Sequence, residues 1–144
     1  MHVSEILKRK GSRVFTIRPR ASVTEAVRKF RDRKIGAIPV REPGAEIVGL
    51  LTERDVLHGT ATHAAAALDM RVEELMSPRI HTCTPDDLIP AVMGVMTREH
   101  VRHLLVVAGG ELKGIISIGD IMRERVEESQ LEVDVLRDYT RIHP

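Results

Sequence analysis

Two short segments of this chain repeat one chemistry-bearing pattern: Gly49-Leu50-Leu51-Thr52-Glu53-Arg54-Asp55 and Gly114-Ile115-Ile116-Ser117-Ile118-Gly119-Asp120. In each, a glycine and two apolar residues lead to a hydroxyl, and a carboxylate follows three positions later. A hydroxyl at a strand end can donate to a phosphate or ribose oxygen, and a carboxylate at the start of the next helix can accept both hydrogen bonds of a ribose diol. The same pair can also simply cap the helix, which Ser and Thr do well. Recurrence in equivalent places favours the ligand reading. Other clusters say less. His58 with His63, and His100 with His103, lack the third ligand a metal centre needs, so no metal site is expected. Lys8-Arg9-Lys10 and Arg31-Asp32-Arg33-Lys34 read as solvated helix faces rather than a nucleic-acid patch.

Composition narrows the classes of function. The chain has 144 residues, 42% of them hydrophobic and 30% charged, which is ordinary globular usage and enough for one compact domain or two very small ones. With 22 basic and 21 acidic residues, no overall field steers it onto nucleic acid or an anionic membrane, so an anion site must be local. Aromatic residues make up only 2%, against a stacking platform for single-stranded nucleic acid. Cys83 is the only cysteine, so no intramolecular disulfide forms. With no signal peptide or membrane span evident, a cytoplasmic location is expected. No Gly-rich phosphate loop, paired-carboxylate cleft or catalytic-triad spacing is present, so no catalytic residue and no enzyme activity is expected.

The elements that must position the two motifs also repeat. Ile17-Arg18-Pro19 aligns with Cys83-Thr84-Pro85, and Ile35-Gly36-Ala37-Ile38 with Val101-Arg102-His103-Leu104, at an offset of 66; after one residue is lost from a loop, the motifs align at 65. Each unit reads strand, helix, strand, turn, strand, helix. First strands are expected over 14–18 and 80–84, each closed by a proline. Ser22 is the expected N-cap of a helix running to Arg33, with Val23, Ala26, Val27 and Phe30 on one face. Hairpins are expected from 37–40 with 47–51 and from 104–107 with 112–116, with helices starting at Asp55 and Asp120. His58 to Asp69 reads as a helical connector. Met122, Val126, Ser129, Val133 and Leu136 then mark an amphipathic helix that packs on a partner subunit or on the modules themselves.

On these residues, Val14 to Leu57 and Ile80 to Met122 both resemble CBS (cystathionine β-synthase-type) modules, and Val72 to Pro78 resembles the segment leading into the second module of a pair. The whole is similar to small stand-alone bacterial CBS-pair proteins. The resemblance implies an α/β (α+β) fold: two modules, each a small three-stranded sheet with two helices, related by a pseudo-twofold axis. The corresponding division is a lead-in helix (1–12), module 1 (13–60), a linker (61–71), module 2 (72–124) and a C-terminal amphipathic helix (125–144).

It also implies a regulatory module that binds an adenine nucleotide (AMP, ATP or NAD) between its halves, needs no catalytic cofactor, forms a homodimer and signals to a protein effector. One nucleotide site would draw on Arg13, Phe15, Ile35, Gly36, Ala37, Arg102, His103, Ile115, Ser117 and Asp120. In that site Phe15 would face the base, and Arg13, Arg102 and His103 the phosphate. A second would draw on Leu50, Thr52, Arg54, Asp55, His81 and Val101, with His81 in place of the aromatic ring. The Phe15 site is expected to fill first. The alternative is a structural or interaction protein with vestigial clefts, working through dimer or partner contacts.

Overall fold

The computed structural model describes residues 1–142. The last two positions of the expected tail, His143 and Pro144, lie outside them. In chain order the first elements are helices α1 (Val3–Lys10) and α2 (Val23–Arg33), strands β1 (Ala37–Val40) and β2 (Gly49–Thr52), helix α3 (Glu53–His63), a 3-10 helix (Ala64–Asp69) and the short helix α4 (Val72–Leu75). Strand β3 (Thr82–Cys83), helix α5 (Ile89–Glu99), strands β4 (His103–Ala108) and β5 (Glu111–Ser117), and helix α6 (Ile118–Ile142) follow.

The chain forms two compact units that do not follow sequence order. Arg13–His81 make one, and Met1–Ser12 join the residues from Thr82 onward to make the other. Helix α1 therefore packs with the hairpin of the second repeat: Val3, Ile6 and Leu7 are buried with Cys83, Ile89, Val92, Leu104 and Ile116. In the 13–81 unit, Val72 of α4 is buried with Ile17, Ala26, Phe30, Ile38, Val40 and Leu51. Both contacts need a bare backbone beneath them. A Cβ on Gly114 would lie 2.8 Å from Leu7 Cδ2, and one on Gly49 would lie 2.9 Å from the Ser77 carbonyl oxygen.

Inside each unit the elements follow the local chemistry. Ser22 caps α2, its Oγ accepting from the Glu25 N–H at 3.1 Å, and Val23, Ala26 and Phe30 are the buried face. Helices α2 and α5 end on left-handed residues at equivalent places, Lys34 (φ 53°) and His100 (φ 54°). The antiparallel hairpins pair Ala37 with Thr52 and His103 with Ser117, bringing the strand that opens each hairpin against the hydroxyl that closes it.

Three expectations are corrected. The first strands are shorter than read: only Ile17 bridges in 14–18, and only Thr82 and Cys83 form strand in 80–84. Ile17 donates to the Pro39 carbonyl and accepts from Arg41; Pro39 has no N–H to extend the ladder. The helical connector expected over 58–69 is present, as the end of α3 followed by the 3-10 helix, with Ala67 buried. The motif helices start two residues before Asp55 and Asp120, because Thr52 and Ser117 are the last strand residues. The expected C-terminal helix is not a separate element: α6 runs unbroken for 25 residues from the second motif.

Candidate functional site

The two motifs adopt the same geometry. In the first, the Asp55 N–H donates to Thr52 Oγ1 at 3.2 Å and Asp55 Oδ2 accepts from the Thr52 N–H at 2.9 Å. In the second, the Asp120 N–H donates to Ser117 Oγ at 3.1 Å and Asp120 Oδ2 accepts from the Ser117 N–H at 2.9 Å. Each is a reciprocal cap that closes the strand-to-helix corner and sets a hydroxyl and a carboxylate at a helix N-terminus, where the helix dipole favours negative charge.

Their surroundings differ. Asp120 is 7% exposed, and Lys10 of α1 donates to its Oδ2 at 2.6 Å and to the Ile115 carbonyl at 2.7 Å. Arg123, one turn along α6, approaches Asp120 Oδ1 at 3.5 Å. Burial pushes the Asp120 carboxyl up, but Lys10 and the Ser117 N–H outweigh it and hold it below the usual carboxylate value. Asp55 is only half-buried and has no ion-pair partner among the described residues. At the 66-residue offset, Lys10 falls on Met76, so the first motif has no counterpart of this ammonium.

The other candidates divide between the units. In the 13–81 unit, Gly36 accepts from the Glu53 N–H at 3.1 Å, placing Ile35-Gly36-Ala37 against the start of α3 and beside Thr52 and Asp55. Leu50 is buried and exchanges two backbone hydrogen bonds with Ser77, while Arg54 stands exposed on α3 and His81 is half-buried. The Phe15 ring is half-buried, with the guanidinium of Arg13 at 5.1 Å and that of Arg33 at 4.5 Å from its centroid. In the other unit, Arg102 accepts from the Ile118 N–H at 2.9 Å, placing Val101-Arg102-His103 against the start of α6. Burial holds the His103 imidazole below its ordinary value, helped by Lys10 and Arg102 and opposed by Asp120. It is therefore neutral at pH 7.

Three participants escaped the sequence reading. Lys10 and Arg9 were expected to be solvated, yet Lys10 holds Asp120, and Arg9 pairs with the buried Glu124. No local signal links residues so far apart in sequence. Arg33 over Phe15 is equally a product of the fold, whereas Arg123, three residues after Asp120, was legible as a helical neighbour. Burial raises the Cys83 thiol to about 11, with Asp87 adding to the shift, which leaves it a core residue. Among the described residues no three His, Cys, Asp or Glu side chains cluster for a metal, and no helix is long and apolar enough to cross a membrane.

Two hairpins carrying the same hydroxyl-carboxylate corner define a class, proteins built from a duplicated strand-turn-strand-helix module. The chain belongs to the CBS domain family, whose pattern matches residues 3–61 and 72–127. It is similar to a CBS-domain-containing protein from Agrobacterium tumefaciens at 35% identity and a TM-score of 0.83, over 86% of this chain and 92% of that one. It is 28% identical to a mitochondrial CBS domain-containing protein of Arabidopsis thaliana, over 95% of this chain and 70% of the relative. At 22% identity and a TM-score of 0.78, covering 89% of this chain and 98% of that one, it shares the fold of the CBS domain pair of protein MJ0100, solved with 5-methylthioadenosine and S-adenosyl-L-methionine. CBS-pair proteins of this type are in general regulatory rather than catalytic.

Proposed function

We propose that this protein is a regulatory sensor that binds an adenine nucleotide such as AMP, ATP or NAD through its strand-to-helix motifs and catalyses nothing. The observation that carries the reading is the twofold occurrence of one geometry, Thr52 with Asp55 and Ser117 with Asp120. An ionised carboxylate has about four acceptor positions. The cap uses one on Asp55, which leaves room for a ribose diol, whereas Asp120 has Lys10 and Arg123 beside it and favours a ligand that also brings phosphate to those cations. The adenosine-containing ligands of the MJ0100 pair support the choice of ligand class.

The second reading, an interaction protein whose motifs serve as caps alone, is favoured by the reciprocal hydrogen bonds that pair hydroxyl and carboxylate within each cap. A thermal-shift series with AMP, ADP, ATP, NAD and S-adenosylmethionine separates the two, since a ligand at a hundred times its dissociation constant adds about 2.7 kcal/mol. The sensor reading expects a shift with at least one nucleotide, and no shift with any of them sinks it. Calorimetry then apportions the motifs. Asp55→Ala or Asp120→Ala weakens binding roughly tenfold to a hundredfold at the motif that holds the ribose, by loss of hydrogen bonds to a charged group.

A further inference from the structure

The distal part of α6 is apolar where nothing covers it. Met122, Val126, Val133 and Leu136 are 51%, 64%, 42% and 63% exposed. With Ser129 and Thr140 they occur at alternating spacings of four and three, the spacing of a coiled-coil seam. At about 100° per residue this seam turns more than 90° away from Ile121 and Glu124, the side of α6 buried in its own unit. The tail therefore does not pack its seam on its own unit.

We propose that α6 pairs with α6 of a second copy of this chain, as a parallel two-stranded coiled coil along this seam. Val126 and Val133 take the a positions, and Met122, Ser129 and Leu136 the d positions; β-branched residues at a with Leu at d favour two parallel strands. Flanking charge selects the same partner. Glu132 stands at g and Arg137 at the following e, and neither has an ion-pair partner among the described residues. In a parallel pair Glu132 of one copy meets Arg137 of the other, twice by symmetry. Arg125 at g meets the neutral Gln130, so no like charges face each other across the seam. Ser129 at a central d position marks the register. This pairing stands whether or not a nucleotide binds.

The test uses the full chain. Light scattering at tens of micromolar is expected to give a dimer. The double substitution Val126→Glu with Val133→Glu changes only exposed side chains and is expected to give a monomer with an unchanged helical signal. Ser129→Cys adds a second thiol to a protein whose own Cys83 is buried and held at about 11. Under mild oxidation, facing d positions are expected to link nearly completely into a covalent dimer. A monomeric parent protein overturns the proposal, as does a dimer that survives both glutamates. A dimer that the glutamates break but that Ser129→Cys fails to cross-link overturns the parallel register.

Discussion

Lys10 and Asp120 show how much one side-chain pair carries. Lys10→Met substitutes the residue found at the equivalent place, Met76, and leaves burial to act on Asp120 with less opposition. The Asp120 pKa, followed by carboxyl NMR, is expected to rise toward or above the ordinary value of about 3.9. Because the folded pKa is depressed, the pair stabilises above the unfolded value and loses that contribution as pH falls through the folded value. The stability gap between parent and variant should therefore close below about pH 4, and a gap constant from pH 7 to pH 3 would contradict the assignment. His103 behaves differently in its window. Facing Lys10, Arg102 and Asp120, it resists protonation in the fold, whereas the unfolded chain takes up a proton near pH 6.5. Stability should fall as pH drops from 7 toward 5, and His103→Gln should flatten that slope in chemical-denaturation series.

At the scale of elements, the glycines separate packing from propensity. Gly49 in β2 has the Met76 side chain and the Ser77 carbonyl against it, so Gly49→Ala must move backbone and should cost about 1–3 kcal/mol in thermal unfolding. Gly94 lies inside α5 with open space at the Cβ position, so Gly94→Ala should instead stabilise by about 0.5–1 kcal/mol. A stabilised Gly49→Ala protein would mean that Met76 and Ser77, which follow α4, do not press on that hairpin. The hairpins and α2 were legible because their apolar spacing and turn residues are local. The first strands were misjudged because their length depends on what Pro39 can offer across a gap in sequence.

At the scale of the whole molecule, the exchange of end segments is the main structural fact. Helix α1 precedes the first repeat in sequence but supplies Val3, Ile6 and Leu7 to the core of the second. Ile6→Ala should cost about 2–5 kcal/mol through the cavity it leaves. Hydrogen exchange should locate that loss in β4, β5 and α5. Loss of protection confined to β1 and β2 would show that α1 belongs with its sequence neighbours instead.

What the sequence by itself determined is the duplicated unit, its family and the two hydroxyl-carboxylate motifs, because periodicity, caps and turn chemistry act within a few residues. Only the tertiary structure decided which carboxylate is already paired. Lys10 reaches Asp120 across 110 positions, because apolar burial draws α1 onto the second hairpin, and burial of that kind is blind to order along the chain.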